Sequence, residues 1–340
     1  MGVTIKDVAE RSGISVVTVS KYLNGGSVRP KTAERISSAI NDLGYRPNSL
    51  ARGLRNSCSM TLGILVDNIT NNFYTSIISC MTNSLQSKGY GCLVYEIGDI
   101  SSEKMNTAMD FLAGKNIDGL FILSSKISPE QASRISETFE NLVIIDNYIP
   151  GLKADSVFTD NLSAAYQATE QLLVRGHLSI AIITGYSDSF SARERLSGYL
   201  RVLQDYDLPV DEKRIFQDTY DMKGGYRAFK NLWDSTAANR PTAVLVTSYF
   251  MTVGAIIALN EIGLNIPEDI SLICFDNYDI NKVFRPSLSC IAQPVEDISL
   301  QAAELMLDRI YNHPADNRII RLAPRYFEGE SIRRCGNESL

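Results

Sequence analysis

The chain is poor in the residues from which most active centres are assembled. Among its 340 residues are two histidines, His177 and His313, too far apart in sequence to suggest a metal cluster or a histidine-based triad. Its six cysteines (Cys58, Cys80, Cys92, Cys274, Cys290 and Cys335) include no CxxC pair. They read as reduced thiols, mostly buried, rather than as a zinc or disulfide framework. No apolar run reaches the roughly 18 residues that a membrane-spanning helix needs. An apolar signal segment is missing too, because Lys6, Asp7 and Glu10 interrupt the first apolar positions, so a cytoplasmic location is expected. The first strand-like run, TLGILV at 61–66, is followed by no G-x-G-x-x-G, and P-loop, H-E-x-x-H and G-x-S-x-G patterns are missing. These gaps argue against dinucleotide, phosphoryl-transfer and hydrolase chemistry. No catalytic residue, metal or cofactor is expected, and the chain does not read as an enzyme.

What is present is a basic head on an acidic body. Residues 1–57 hold nine Lys/Arg against four acids, a net +5 that leaves −11 on the remainder of a chain whose total is −6. Such asymmetry fits a head that meets a polyanion and a body that does not.

Within the head, Thr4 followed by Asp7 forms a capping-box pattern that predicts a helix from about Ile5, with Ile5, Val8 and Ala9 on one face. Gly13 can take the left-handed conformation that ends it, and Ser15 can cap the next. The second helix, about 16–24, places Val19 and Leu23 inward and Val17, Thr18 and Lys21 outward. A third, opened by Pro30 and running to about Leu43, turns Ala33, Ile36, Ile40 and Leu43 inward. Two helices about a tight glycine turn, closed by a third, have helix-turn-helix geometry. A small helical subdomain without a ligand has the same spacing. Against that plainer reading stand the local charge and the outward Val17 beside Thr18 and Lys21. A valine there gains nothing in water but can meet thymine methyls in a major groove, where Lys21 donates to guanine or phosphate.

Beyond residue 60 the pattern changes to apolar runs at 61–66, 91–96, 117–123, 142–146, 179–184, 242–247 and 270–275. Helix-period segments fall between them, near 73–88, 101–115, 129–140, 192–206, 222–236 and 250–262. This alternation predicts two doubly wound parallel sheets, with ligands outside the carboxyl ends of the strands. Those ends carry Asn72, Phe73 and Tyr74, then Arg195, Tyr220, Ser248, Tyr249, Asp276 and Asn277. An Arg–Asp pair, small polar groups and aromatic faces suit a neutral polyhydroxylated ligand such as a sugar. Each has a plainer alternative: Asp276 as a helix cap, Arg195 in a surface ion pair, Phe73 and Tyr74 as core residues.

The segments TIKDVAERSGISVVTVSKYLN and AERISSAINDLGYRPNSLARGLR closely resemble the headpiece and hinge of the LacI/GalR family of bacterial repressors, and GHLSIAIITG, RERLSGY, IPEDISLICFDN and IAQP extend the resemblance along the chain. The resemblance implies a headpiece at 1–46, a hinge helix at 47–58 and a periplasmic-binding-protein-like body at 59–340. The body would divide into an N-subdomain of about 60–161 and 292–321 and a C-subdomain of about 162–291 and 322–340. It places base reading on Val16, Val17 and Lys21, and capping or phosphate contact on Ser15, Thr18 and Ser20. Further DNA-binding positions fall on Thr4, Asn24, Arg29, Asn48, Ala51 and Arg52, and Leu54 is implied as a minor-groove wedge. Effector-binding positions fall on Asn72, Phe73, Tyr74, Ser189, Ser191, Arg195, Tyr220, Ser248 and Asp276, with Asp146 and Asp160 less firmly placed.

The implied function is a repressor whose affinity for a near-palindromic double-stranded operator is set by a small-molecule effector, a sugar or sugar derivative, between the subdomains. The implied assembly is a homodimer, since the ending EGESIRRCGNESL has no leucine heptad. No membrane partner is implied, and a protein co-regulator is left open. The chain departs from the family at three places. Arg29 stands where a serine cap is usual, Asn72 where proline is, and Ser248-Tyr249 where Asn-Asp is common. The last two leave open a ligand smaller, more aromatic or more acidic than a simple hexose.

Overall fold

The computed structural model describes residues 3–23, 26–45, 58–98, 102–124 and 127–335. It divides into two compact units, Met1–Met60 and Thr61–Leu340.

The first unit is built from α1 (Ile5–Ser12), α2 (Val16–Leu23) and α3 (Pro30–Leu43). Its start is the expected capping box: the Thr4 hydroxyl accepts from the Asp7 N–H, and the Asp7 carboxylate accepts from the Thr4 N–H at 2.7 Å. That carboxylate also accepts the Thr4 hydroxyl at 2.9 Å, and the Thr4 N–H and O–H together hold the Asp7 carboxyl below its ordinary range. Gly13 ends α1 at φ 65°, where a β-carbon would be strained and would run into the Arg35 guanidinium. Arg29 stands at the start of α3 without a side-chain cap. Val8, Val19 and Ile36 are fully enclosed, with Ala9 and Ala39 beside them. Ala33, Ile40 and Leu43, expected inward, are only half-buried, and Ala39 takes the enclosed place that Ala33 was expected to fill.

The second unit holds two six-stranded sheets. The first is ordered β11-β5-β4-β3-β1-β2, from β1 (Thr61–Val66), β2 (Gly91–Glu96), β3 (Gly119–Leu123), β4 (Leu142–Ile145), β5 (Asp155–Thr159) and β11 (Ile319–Leu322). The second is ordered β12-β10-β9-β8-β6-β7, from β6 (Ile180–Gly185), β7 (Ile215–Asp218), β8 (Ala243–Val246), β9 (Ser271–Phe275), β10 (Ser289–Ala292) and β12 (Arg325–Phe327). Every pairing is parallel except β10 with β12, which is antiparallel, so the second sheet carries one edge strand that an all-parallel expectation lacks. Leaving out the edge strands β11 and β12, the other five strands of each sheet follow the same doubly wound order, with the reversal beside β1 in one and β6 in the other.

Helices cover both faces: α4 (Asn72–Ser87), α5 (Ser102–Ala113), α6 (Pro129–Thr138) and α11 (Val295–Asn312) on the first sheet, and α7 (Asn161–Leu173), α8 (Phe190–Asp205), α9 (Met222–Ser235) and α10 (Tyr249–Ile262) on the second. Leu62, Ile64, Phe121 and Ile122 in the first core, and Val244, Leu245, Leu272 and Ile273 in the second, are wholly enclosed. Such continuous apolar strands, covered on both faces, are what made the alternation visible in sequence.

Other elements left no such trace. β7, β10, β11 and β12 have three or four residues each and carry polar groups, and β5 opens on Asp155. The helix α7 buries a band of alanines against α8, where Gly198 meets the α7 backbone too closely for any side chain. The chain crosses from the first sheet to the second after β5, back after β10, and forward again after β11. The return is pinned by Asp155, fully enclosed, whose carboxylate accepts from Arg309 and Arg318 at 2.7 to 3.2 Å. Burial by itself would raise that carboxyl; the two guanidinium groups hold it below its ordinary range.

Candidate DNA-reading surface and effector cleft

In the head, α2 turns Val17 outward at 79% exposed, with Val16 at 40% and Lys21 also exposed. The Ser15 hydroxyl shares a 2.9 Å hydrogen bond with Thr18 and accepts the Thr18 N–H, so both side chains already serve the start of the helix. Thr4 is likewise committed to α1, Ser20 is half-buried, and Arg29 is exposed. Asn24, Asn48, Ala51, Arg52 and Leu54, with nearly all of the expected hinge at 47–58, lie outside the described residues. The face that remains is therefore Val16, Val17 and Lys21: two apolar groups beside one flexible cation.

In the body, the carboxyl ends of strands from both sheets converge on a cavity of about 370 Å³. Of the expected effector residues, Asn72, Phe73, Tyr74, Ser191, Arg195, Tyr220, Ser248 and Asp276 line it. Ser189 does not. It is 2% exposed and caps α8, its hydroxyl accepting the Ala192 N–H and facing Ser191 at 3.2 Å. Asp160 is also elsewhere, capping α7 through the Ser163 N–H. Asn277 is exposed and lines a different groove.

Phe73 and Tyr74 are both core and cleft: 5% and 6% exposed, they open α4 behind the Asn71 cap and line the cavity. Tyr220 reaches the cavity because Gly185 ends β6, and a β-carbon at Gly185 would occupy the space of the Tyr220 ring.

The expected Arg–Asp pair is indirect. Arg195, 4% exposed, donates through Nε to Asn161 Oδ1 at 2.8 Å, and through its terminal nitrogens to the Thr247 carbonyl at 2.6 Å and Gln293 Oε1 at 3.3 Å. Its guanidinium also lies over the Phe275 ring, 4.3 Å from the centroid. Gln293 turns its amide nitrogen to Asp276 Oδ1 at 2.7 Å and accepts the Thr159 hydroxyl at 2.9 Å. One glutamine thus joins β9, α8 and two of the three crossings. Nothing in its local spacing marks it, although it stands in the IAQP segment. Asp276 Oδ2 accepts the Tyr249 N–H at 3.1 Å, which gives Asp276 part of the helix-capping role that was its plainer alternative. Ser248 is spent on the same helix, its hydroxyl accepting the Met251 N–H.

Asp146, which the resemblance placed less firmly than most effector positions, also lines the cavity. It follows β4 as Asp276 follows β9, each before an asparagine, and each adopts a left-handed backbone, φ 59° and 72°. Their N–H groups donate to the neighbouring strands, at Val157 and Ile291. The two carboxylates enter the cavity from opposite sheets. Burial pushes Asp146 up to about 7, with Arg195 opposing and Asp276 and Asp67 adding to the rise. Asp276 is raised for the same first reason, and burial followed by Asp146 and Asp67 raises the Tyr74 phenol strongly. Among the described residues no cluster of His, Cys, Asp and Glu could hold a metal ion.

Fold and site together define a two-lobed ligand-binding body that carries a helix-turn-helix head. Residues 4–48 match the family described as bacterial regulatory proteins, lacI family, and residues 169–332 match the periplasmic binding protein-like domain. The repressor PurR of Proteus mirabilis is 32% identical over 333 residues, 97% of this chain and 96% of its own. That of Vibrio atlanticus is 30% identical over 332 residues, 97% and 98% of the two chains. Among solved structures, the regulator CelR in its cellobiose complex aligns with a TM-score of 0.75 at 26% identity, covering 97% and 99%. The lac repressor dimer bound to operator and the anti-inducer ONPF aligns at 0.86 and 23% identity, covering 98% and 100%, a likeness of fold. The chain belongs to the lacI family of bacterial regulatory proteins, a family of DNA-binding transcriptional regulators rather than enzymes. No helix among the described residues is long and apolar enough to cross a membrane.

Proposed function

We propose that this protein is a transcriptional repressor that grips a near-palindromic operator through its head, as a homodimer, and that a small polar effector in the inter-sheet cavity sets the strength of that grip. In the head, Val16 and Val17 meet thymine methyls and Lys21 donates to guanine or phosphate, while residues 47–58 form the hinge and present Leu54 to the minor groove. In the body, Arg195, Asp276 and Tyr220 orient a polyhydroxylated, carbohydrate-like molecule and the aromatic rings cover its apolar faces. The observation that carries the reading is the cavity at the carboxyl ends of both sheets. A molecule bound there touches both lobes, so its affinity differs between open and closed arrangements, and that difference is what an effector needs to shift them.

The functional division follows the crossings: 60–161 with 292–321 on one side, 162–291 with 322–340 on the other. A second reading is favoured by the six rings along the cavity, Phe73, Tyr74, Tyr220, Tyr249, Phe250 and Tyr278, which would also stack a flat heterocycle.

The experiment is an unbiased oligonucleotide selection on the full chain, followed by a thermal-shift screen of sugars, amino sugars, sugar acids and nucleobases. Enrichment of an inverted repeat, and a change in its affinity with whichever compound raises the melting temperature, are expected. No enriched sequence with or without those compounds would overturn the proposal. A nucleobase as the stabilising compound would select the second reading.

A further inference from the structure

The cavity holds more negative charge than the protein neutralises from within. Asp67, Asp146, Asp221 and Asp276 line it against one cation, Arg195, with no lysine or histidine among the described lining residues. Arg195 is already engaged by Asn161, the Thr247 carbonyl and Gln293. Asp221 accepts the Gly224 N–H, and Asp276 accepts from Gln293 and Tyr249.

Asp146 differs from these. It is 8% exposed, and its Oδ1 accepts from nothing in the protein. The Tyr220 hydroxyl, on the same cavity, is also enclosed without a partner. A buried polar atom left unpaired is costly, and proteins keep few that serve no purpose. Three features single out a cation as the missing partner. The groups facing Asp146 from the surrounding elements are Arg195, Asp276, Asp67 and Tyr74, of which one alone is positive. A neutral hydroxyl could fill the hydrogen bond at Oδ1 but not offset the charge, whereas an ammonium brings three donors and a positive charge. Six aromatic rings line the same cavity, a residue type whose electron-rich faces attract cations. An acidic ligand, which the departure at Ser248-Tyr249 had left open, would meet repulsion from both sheets.

We propose that the ligand of this cleft is a polyhydroxylated compound bearing a protonated amine, an amino sugar or amino polyol, with its ammonium against Asp146 and its carbon skeleton between the aromatic side chains. This rests on the cleft being the effector site. Because Asp146 and Asp276 stand at equivalent ends of β4 and β9, the ligand spans the lobes with its cationic group toward the first sheet and its hydroxyls toward Arg195 and Asp276.

The test is calorimetric titration of the full chain at pH 7 with matched probes: glucosamine against glucose, galactosamine against galactose, and 2-amino-1,3-propanediol against glycerol. At least one amine is expected to bind about tenfold or more tightly than its neutral partner, the effect of one added charge contact. It should also release a proton from Asp146, seen as a heat that varies with the ionisation enthalpy of the buffer. Asp146→Asn, which retains shape and tolerates the left-handed backbone, should erase both the preference and the proton release. Neutral probes binding as tightly as their amines, no heat from any amine, or a preference that survives Asp146→Asn would overturn the proposal. Operator affinity is followed separately by fluorescence anisotropy. An amine that binds with proton release but leaves the operator complex unchanged overturns effector control and spares the ligand class. A neutral sugar that changes operator affinity without proton release does the reverse.

Discussion

The head and the body display their functional groups in opposite ways. The head puts them outside: α2 spends Val19 on a small core and leaves Val17 and Lys21 in solvent, where the proposed reading has them meet the operator. The body puts them inside, collecting side chains from the ends of strands in two sheets around one cavity. An outward helix face can be altered residue by residue with little effect on folding, because its groups lie in solvent rather than in the core. A cavity wall cannot, because the residues that would hold a ligand also hold one another. Arg195 illustrates this: its hydrogen bonds to Asn161, the Thr247 carbonyl and Gln293 are made to protein atoms before any ligand arrives.

That contrast sets the order of the expected effects. The largest is for Arg195→Ala, which leaves Asn161 Oδ1, the Thr247 carbonyl and Gln293 without their donor; chemical denaturation of the full chain should show a loss of about 3–5 kcal/mol. A loss below about 1 kcal/mol would mean that the wall holds together without its central cation.

Next is Asp146→Asn, with the opposite sign. The folded-state carboxyl is raised, so its contribution is intact below the unfolded value near 3.8 and is lost as pH climbs toward about 7. Removing the charge should therefore leave the empty protein unchanged below about pH 4 and stabilise it progressively up to pH 7, by about 3–4 kcal/mol at most. Melting temperatures across that range check it, and a flat difference would show that Asp146 is compensated in some other way.

On the head, Lys21→Ala should weaken specific operator binding by about 1–3 kcal/mol with no change in stability. Equal weakening on random DNA would reduce Lys21 to a phosphate contact. The smallest effect is for Thr4→Ala, about 1 kcal/mol of head stability from the lost cap, measured by amide exchange in α1. A larger loss there would mean that the head, like the cavity wall, is tightly interdependent.

The same contrast decided what could be read in advance. Local rules act over three or four residues, so the Thr4–Asp7 cap, the turn at Gly13 and the outward Val17 were all visible. The long apolar strands were visible because burial on both faces leaves uninterrupted Val, Ile and Leu. Short strands such as β7 and β12 were not, since three or four residues carry no period. In the cavity, residue types at strand ends pointed to Phe73, Arg195, Tyr220 and Asp276, but Ser189 turned out to cap its helix rather than line the wall. Gln293 and the unpaired oxygen of Asp146 had no local signature, because their roles depend on partners 17, 98 and 134 residues away in sequence, or on the lack of one.

By itself, the order of amino acids determined the helices of the head, the outward valines, the two alternating α/β halves and the surplus of acid in the body. These follow from near-neighbour geometry and from the free energy of covering apolar side chains. Tertiary structure alone decided that Asp146 and Asp276 approach one cavity from opposite sheets, and that a glutamine stands between arginine and aspartate. It also decided which enclosed atoms go without a partner. Distance through space and exclusion of water set those properties, and neither is written along the chain.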